Sequence, residues 1–421
     1  MAAHEGLRQV LALPILTGSS KGRSAVKRHI RTRAVLATVA GLALATAGCG
    51  GPGGDSSDDG PISIGVLSDL SGATSDVGTP YSEGMRDYVE WINTDGGIEG
   101  REIDLKLNDY AYDVARAEQL YSQYVNEGVV AIQGWGTADT EALRQKIAED
   151  ELPFMSASYA ETLVDPEETP YNFVVAATYS DQMRVALKWI AEDSGGTADV
   201  AVFHHDSPFG QSPVADGESY IEENELDLGY RAYAMPTGAT DYVAQLGRAA
   251  SQGAEYVVIQ NVSSPAAIVA SNIAQQNLDM TIVCLNWCAD ELFITLAGDA
   301  AEGHIMVQPF APPTVEASGQ EVPAAFLEEN GSSLEAKGLH YTQGWYTMHV
   351  MAEGVRHLIS NDEDVTGANL KNALESLGPV DTGGVTPPIE FGPDSHKGAD
   401  STGIYEVEGG ELVEIAQDVR P

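Results

Sequence analysis

The sequence predicts an α/β protein with two open, mainly parallel sheets. From residue 62 onward, short apolar or β-branched runs alternate with longer segments of helical pattern, and this alternation is typical of βαβ units. Such strands could close into one barrel or form two open sheets. A break near Ala176–Gln182, followed by a new strand at Asp199, favours two sheets. Because ligands of open α/β sheets bind outside the carboxyl ends of the strands, we expect a ligand cleft between the sheets.

Each predicted strand is a short apolar run bounded by turn residues. The predicted strands are Ile62–Leu67, Ile103–Asn108, Val129–Gly134, Pro153–Ala157, Asp199–His204, Tyr230–Met235, Tyr256–Gln260 and Thr281–Leu285. In the first helical segment, Met85, Tyr88, Val89 and Ile92 form one apolar stripe, because their spacing places them on the same face of a helix. The predicted helices are Tyr81–Asn93, Val114–Asn126, Thr140–Glu149, Ser180–Ala191, Ser212–Asn224, Asp241–Ser251, Ala266–Gln276 and Tyr341–Ile359.

The composition excludes two classes of partner. The 421 residues include 63 Asp and Glu against 22 Lys and Arg, a formal net charge of −41, while a hydrophobic content of 43% indicates a globular chain. A surface of this charge repels the phosphates of nucleic acids and the headgroups of an anionic membrane. The charge is uneven, because residues 1–48 hold seven basic residues and one acid, which leaves −47 for residues 49–421.

Residues 1–48 are predicted to be a lipoprotein signal peptide. A basic block at 27–33 precedes the uncharged run Ala34–Ala47, which is shorter than the ~20 residues that a transmembrane helix needs. Small residues followed directly by Cys49 resemble a bacterial lipobox, with Thr46 in place of the more usual leucine. We therefore expect lipidation of Cys49 at the outer face of the cell membrane, with a buried or chance cysteine as the alternative. Residues 49–61, rich in Gly, Ser and Asp, would form a flexible tether.

Two further cysteines, Cys284 and Cys288, lie close together in the sequence. Outside the cytoplasm they could form a disulfide that closes a small loop. Two buried free thiols are the alternative, and the sequence leaves both open.

Uncharged polar residues follow several of the predicted strands. Thr137 stands just before a helical pattern, where exposed backbone N–H groups favour a carboxylate. Ser158 and Ser263 follow two other strands. Helix capping or turn formation is the alternative for each hydroxyl, but their recurrence at successive strand ends favours a binding site for a small ligand.

The order of several motifs resembles that of a known family. The run Ile62–Gly72, followed by Gly78 and Gly84, is similar to the opening of type I solute-binding proteins of ATP-driven transporters. The segment Asn-Thr-Asp-Gly-Gly-Ile-Glu-Gly at 93–100 resembles a helix-ending turn of their leucine/isoleucine/valine-binding members. Further segments fall in the same order, namely Asn108–Asp109, Phe209–Gln211 and Ala301–Gly303.

This resemblance covers residues 62 to 415 and implies a type I periplasmic-binding fold. Two Rossmann-like lobes would be joined by three crossovers and would close around a ligand by a hinge motion. The first lobe would comprise residues 62–176 and 310–384, and the second lobe residues 177–309 and 385–421.

Several binding positions of the family can be carried over to this chain. Thr137 falls at a serine that holds the ligand carboxylate in the family. Ser158 and Ala160 fall on a loop that completes this grip, although Ala160 lacks the usual hydroxyl. Val77 and Phe209 fall where rings close over the ligand from the first and second lobes.

The positions around the ligand's side chain depart further from the family. Trp287 replaces an acid that holds the ammonium group of amino acids, Ser263 replaces a tyrosine, and His340, with Tyr341, falls at another aromatic position. A buried ammonium without an anion is poorly compensated, and a ring face supplies only ~0.5–2 kcal/mol. These departures disfavour a standard α-amino acid. The rings that would suit a flat ligand, with core packing as the alternative for each, are Trp135, Tyr159, Phe209, Trp287 and Tyr341.

Together these features predict a lipid-anchored, extracytoplasmic substrate-binding protein of an ABC importer, which is not an enzyme. It would capture a branched-chain amino acid-like solute or, as the departures favour, a related aromatic, carboxylate or amide compound. As a monomer it would deliver this solute to the membrane-embedded permease subunits. A ligand-sensing module that presents its closed form to a signalling partner is the alternative.

We expect no cofactor, no metal site and no nucleic-acid partner. The sequence contains no G-x-S-x-G, Walker or H-E-x-x-H motif. His204 and His205 are adjacent at a predicted strand end, so their side chains point to opposite faces and cannot easily share one ion.

Overall fold

The computed structural model describes residues 60–421, and its strands form two separate sheets. The strands are β1 Ile62–Ser68, β2 Ile103–Asp109, β3 Ala131–Gly134, β4 Phe154–Ser156, β5 Asn172–Phe173, β6 Thr197–His205, β7 Asp227–Met235, β8 Ala254–Gln260, β9 Thr281–Leu285, β10 Ile305–Gln308, β11 Thr402–Glu408 and β12 Glu411–Val419. The first sheet has the order β2-β1-β3-β4-β5, and all of its pairs are parallel.

The second sheet has the order β12-β11-β10-β9-β8-β6-β7. Its pairs are parallel from β7 to β10, while β11 and β12 add an antiparallel hairpin at one edge. The predicted α/β class with mainly parallel sheets is therefore confirmed.

Helices cover both sheets. They are α1 Ser75–Thr94, α2 Val114–Glu127, α3 Thr137–Glu149, α4 Tyr179–Asp193, α5 Pro208–Gln211, α6 Val214–Glu223, α7 Val243–Ser251, α8 Ser263–Gln276, α9 Glu291–Ala297, α10 Glu321–Glu329, α11 Leu334–Lys337, α12 Leu339–Ser360 and α13 Gly367–Ser376. None of the helices within residues 60–421 is long and apolar enough to cross a bilayer.

Each sheet lies within its own lobe. The first lobe is the first sheet with α1–α3 and α10–α13, which share one hydrophobic core. The second lobe is the second sheet with α4–α9, whose apolar residues form two cores, one on each face. The chain crosses from the first lobe to the second after β5, returns after β10 and crosses again before β11. We refer to these three crossovers as the hinge segments, because the expected hinge motion would occur there.

The hinge boundaries differ from the predicted division in one segment. The structure packs residues 385–398 against the first lobe, because Val385, Ile389 and Phe391 belong to its core. Lys397 also forms a parallel bridge with Val174 beside β5. This segment has no long helix or strand, so no periodic pattern could assign it to a lobe in advance.

The predicted elements are present, but several short ones were missed. Strands β5 and β10 contain two and four residues and are too short to show a period. The hairpin β11–β12 did leave a signal, because Gly409 and Gly410 separate two strand-like runs and adopt φ values of 62° and 82°, as a two-residue hairpin turn requires. The predicted helix Ser212–Asn224 begins two residues later, as α6 after Pro213, and the unpredicted short helix α5 precedes it.

Helices α1 and α12 approach each other closely at two glycines. A Cβ atom on Gly344 would lie 1.9 Å from the carbonyl oxygen of Tyr81, and one on Gly84 would lie 1.9 Å from that of Tyr341. No side chain larger than hydrogen fits there without moving a helix. The apolar stripe of α1, including Met85 and Tyr88, is buried as a result.

Replacing Gly344 by Ala is therefore expected to lower the free energy of unfolding by about 1–3 kcal/mol, because the added methyl group overpacks this contact. The matched control is Gly247→Ala in α7, where a Cβ would have no neighbour within 4 Å. That change is expected to stabilise the protein by about 0.5–1 kcal/mol, since alanine favours the helix. Thermal and urea denaturation of both variants measure the two effects, and a loss in Gly247→Ala as large as in Gly344→Ala would contradict the close approach.

Candidate ligand-binding cleft

A cavity lies between the two lobes at the carboxyl ends of their strands. The space free of protein atoms in the cavity and at its mouth, open solvent included, is about 240 Å³, so the lobes lie close together here. Its lining residues come from both lobes and are Thr74, Tyr112, Trp135, Gly136, Thr137, Ala157, Tyr179, Phe209, Val262 and Trp287. None of these described lining residues carries a charge at neutral pH. The predicted interlobe cleft is therefore present, with an uncharged lining.

Two hydroxyl groups lie together at the start of α3. The Thr137 Oγ1 and Ser158 Oγ atoms are 2.6 Å apart, and both residues are about 1% exposed. Gly136 is the N-cap of α3 and has no side chain to satisfy the first backbone N–H groups of the helix. Such a helix start favours an anionic oxygen, and the two hydroxyls can exchange their mutual hydrogen bond for bonds to it.

Two tryptophans, one from each lobe, contact each other at the cavity with their ring planes tilted by 59°. The ring centroids of Trp135, from the first lobe, and Trp287, from the second, are 5.0 Å apart. Each indole N–H is anchored: Trp135 Nε1 donates to Thr74 Oγ1 at 2.8 Å, and Trp287 Nε1 donates to the Tyr179 hydroxyl at 2.8 Å. Phe209 adds a third ring, 5.4 Å from that of Tyr179. With their polar atoms already bonded, these rings present apolar surface to a ligand.

Six lining residues were not predicted, and three of them carry a hydroxyl group. Thr74 and Tyr112 lie in the loops after β1 and β2, and Tyr179 begins α4. Asp69 holds Thr74 in place, because its buried carboxylate accepts hydrogen bonds from the Thr74 N–H and hydroxyl at 2.9 and 2.7 Å. Tyr112 has a positive φ of 57°, which the sequence around it did not indicate.

Three of the proposed binding residues lie in the core of the first lobe and do not line this cavity. Val77 and Ala160 are fully buried among its apolar residues. The Tyr341 hydroxyl donates to Asp87 Oδ2 at 3.2 Å, and its ring packs 6.2 Å from that of Trp345. The structure thus gives all three a packing role, which is the alternative stated for Tyr341 above.

Two other proposed residues lie behind Trp287 and do not line the cavity either. The Ser263 hydroxyl donates to Asp290 Oδ2, and His340 Nε2 lies 2.7 Å from the same oxygen. The His340 ring stacks on that of Trp287 at 5.2 Å. Burial alone would lower the pKa of His340, but the hydrogen bond and charge of Asp290 outweigh it and raise this pKa. The pair links α12 of the first lobe to the second lobe.

A buried acid lies next to the hydroxyl pair. Asp139, in the first turn of α3, is 1% exposed. Its Oδ1 accepts a hydrogen bond from the Tyr110 hydroxyl at 2.9 Å, while its Oδ2 has no partner among residues 60–421. Burial raises the pKa of Asp139 to about 7. No sequence pattern distinguishes this residue, because acids are common in the first turn of a helix, where the helix dipole favours them.

The loop that carries Trp287 is closed by a covalent bond. Cys284 and Cys288 form a disulfide, and both are fully buried. In the part of the chain that the structure describes, no group of three or more His, Cys, Asp or Glu could hold a metal ion. The region before residue 60, including Cys49, the signal peptide and most of the tether, lies outside the described residues.

Comparisons with known proteins agree with this architecture. The family model described as "Periplasmic binding protein" matches residues 61–411. The chain belongs to the periplasmic binding protein family. Within it, the resemblance is to the leucine/isoleucine/valine-binding type I members. One relative is the leucine-, isoleucine-, valine-, threonine- and alanine-binding protein of Pseudomonas aeruginosa, 22% identical over 75% of this chain and 83% of the relative.

Solved structures of periplasmic binding proteins share the fold. A branched-chain amino acid ABC transporter protein from Thermus thermophilus with bound valine is 26% identical, with a TM-score of 0.82 over 86% of this chain and 97% of that one. A fatty acid ABC transporter substrate-binding protein from Thermomonospora curvata is 20% identical, with a TM-score of 0.76 over 86% and 93%. Members of this family are solute-binding proteins, and the solutes named for these two differ widely.

Proposed function

We propose that this protein is the substrate-binding component of an ABC importer, anchored outside the cytoplasm by a lipid on Cys49. It captures a small carboxylic acid whose body is aromatic or apolar and which lacks an α-ammonium group. Family membership supports the transport role, and the solutes named for relatives in this family support a small-molecule ligand. The ligand class is argued from this chain's own cavity.

One observation carries the ligand class: Thr137, whose hydroxyl is bonded to that of Ser158, lines a cavity that also contains aromatic rings and no acid. The Thr137 and Ser158 hydroxyls and the first N–H groups of α3 suit a carboxylate. The rings of Trp135 and Trp287 suit a flat or apolar body. The nearby acid Asp290 is already bonded to Ser263 and His340, so an α-ammonium group would find no free anion among the described lining residues.

Contacts between the lobes support capture by closure. The Ser264 N–H at the start of α8 donates to Asp76 Oδ2 in α1 at 3.0 Å, and His340 pairs with Asp290 at 2.7 Å. Each contact joins the first lobe to the second. A ligand held between Thr137 and Trp287 adds further contacts to this closed arrangement and so favours it. The closed form then docks on the permease.

Pairs of compounds that differ in one group test the ligand class. In isothermal titration calorimetry, 3-phenylpropanoate and 4-methylpentanoate are expected to bind. L-phenylalanine and L-leucine, which add only the α-ammonium group, are expected to bind at least about 100-fold more weakly, because that group loses its hydration without gaining an anion. Tight binding of the amino acids alone would refute the ligand class. Chemical conversion of a bound compound would refute the binding function.

The Thr137→Ala variant tests the carboxylate grip. Its affinity for 3-phenylpropanoate is expected to fall by about 10–100-fold, the usual loss for one hydrogen bond to a charged group. Its affinity for the neutral 3-phenylpropanamide is expected to change much less. Thr347→Ala is the control, because Thr347 is also fully buried but lies on α12 beside Tyr81, outside the cavity lining. Equal losses for the acid and the amide would contradict the assigned role.

A further inference from the structure

The disulfide closes a very short loop between β9 and α9. β9 ends at Leu285, and a 3₁₀ turn follows over Asn286–Cys288. The bond between Cys284 and Cys288 spans this turn. The loop therefore contains the cavity residue Trp287 and its neighbour Asn286.

On one side, the loop faces the ligand cavity. The Trp287 ring lies 5.0 Å from that of Trp135, 5.6 Å from that of Tyr159 and 5.2 Å from that of His340. All three neighbours belong to the first lobe. A small shift of this ring would alter the cavity and the packing between the lobes together.

On the other side, the loop is bonded to three buried glutamines. The Asn286 N–H donates to Gln182 Oε1 at 3.1 Å, and the Asn286 carbonyl oxygen accepts from Gln308 Nε2 at 3.0 Å. Gln343 Nε2 donates to Asn286 Oδ1 at 2.7 Å. Asn286 and all three glutamines are fully buried.

These glutamines come from separate parts of the hinge region. Gln182 is in the first turns of α4, just after the first crossover, and Gln308 is the last residue of β10, just before the second. Gln343 is on α12 of the first lobe and also donates to Gln308 Oε1 at 3.1 Å. The network thus joins the Trp287 loop to two hinge segments and to the opposite lobe.

A disulfide that closes so short a loop has mainly a local effect. The entropy that a cross-link removes from the unfolded chain grows with loop length, so this bond contributes little by that route. What it restricts is the conformation of the five residues that present Trp287 and Asn286.

We propose that the Cys284–Cys288 loop is a positioning element that holds Trp287 in the ligand cavity and couples it to the hinge through Asn286. Contact of a ligand with Trp287 is thereby transmitted to the crossovers that set the angle between the lobes. The ligand contact rests on the proposed function, whereas the positioning of Trp287 can be measured without a ligand.

Fluorine NMR of the full chain labelled with 5-fluorotryptophan tests the positioning. The five tryptophans give five signals, assigned by single Trp→Phe variants. In the double variant Cys284→Ala/Cys288→Ala, the Trp287 signal is expected to shift and broaden, while those of Trp91 and Trp189 stay unchanged and report a folded chain. An unchanged Trp287 signal would overturn the proposal.

A matched pair of glutamine variants tests the link between the Trp287 loop and the hinge. The same pair also tests the positioning of Trp287 if the cysteine variant does not fold. Gln308 Nε2 donates to the carbonyl oxygens of Asn286 and Ala289, whereas Gln320 Nε2 donates to those of Ala311 and Pro312, away from the loop. Both side chains are buried. Gln308→Met is expected to perturb the Trp287 signal and Gln320→Met to leave it unchanged, and equal perturbation would overturn the link.

Binding of 3-phenylpropanoate separates this inference from the proposed function. Both the cysteine variant and Gln308→Met are expected to lower its affinity by about tenfold, through misplacement of Trp287. Perturbed signals with no binding of this compound to any variant or to the parent protein would uphold the positioning of Trp287 and refute the ligand class. Perturbed signals with unchanged affinity would refute the coupling.

Discussion

Replacing Asp139 by Asn is expected to stabilise the protein above neutral pH, by up to about 4 kcal/mol at pH 8. Asp139 is buried in the first turn of α3, and burial raises its pKa to about 7. Asn resembles the protonated acid in shape and charge, and its Oδ1 can keep the hydrogen bond from the Tyr110 hydroxyl. This gain is an upper limit, because the Asn amide nitrogen would take the place of Oδ2, which has no hydrogen-bond partner among the described residues.

The direction follows from proton binding in the two states. Between the ordinary pKa of an aspartate, 3.8, and about 7, the folded protein holds a proton on Asp139 that the unfolded chain has released. The contribution of this group to stability is therefore highest below the lower value, falls as the pH rises through this range, and is constant above it. Asp69, Tyr110 and Tyr112 are the titratable groups beside it, and the charge of Asp69 raises the pKa further.

Thermal denaturation from pH 4 to 8 measures this effect as the difference in the free energy of unfolding between Asp139→Asn and the parent protein. The difference is expected to grow from pH 4 to about pH 7 and then to level off. Glu149→Gln, at the exposed far end of the same helix, is the control and should give a small difference. A difference that does not vary with pH would show that Asp139 has no raised pKa.

Replacing Trp287 by Ala is expected to cost about 3–5 kcal/mol of stability, the usual range for removing a large buried ring. Trp287 is 4% exposed and packs against rings of the first lobe. The same change is expected to lower the affinity for 3-phenylpropanoate by about 100-fold, because a central, desolvated ring dominates the energy of such a contact. Trp287→Phe, which keeps a ring, should retain part of the stability and part of the affinity for 3-phenylpropanoate.

Trp189→Ala separates binding from stability. Trp189 lies on α4, partly buried against the core of the second lobe, with its ring 6.2 Å from that of Tyr256. This change should lower stability and leave affinity unaltered when both variants are titrated at a temperature where they are folded. If Trp287→Ala binds 3-phenylpropanoate as tightly as the parent protein does, the ring does not contact the ligand.

The fold was predictable because its signals are local. The stripe of Met85 and Tyr88 sets the buried face of α1, and the alternation of strands and helices predicts mainly parallel sheets. The break near Ala176–Gln182 then favoured two sheets over one barrel. The place of the cleft follows from the same pattern, since carboxyl ends of parallel strands meet at one edge. Thr137 was selected at such a strand end, and Phe209 and Trp287 through the family resemblance. These three residues and Trp135 line the cavity, whereas the predicted Ser158 and Tyr159 do not.

What the tertiary structure decided is which neighbours share the cavity. Tyr341 points into the packing of α1 against α12, while Tyr112 and Tyr179 line the cleft. Ser263 and His340 bond to Asp290, a residue distant from both in the sequence. Spacing along the chain fixes the face of an element on which a residue lies. Contacts between distant residues depend instead on how whole helices pack, as where Gly344 lets α12 approach α1. The sequence alone determined the two lobes and the strand edge at which the cavity lies. Packing between the lobes decided which side chains line this cavity.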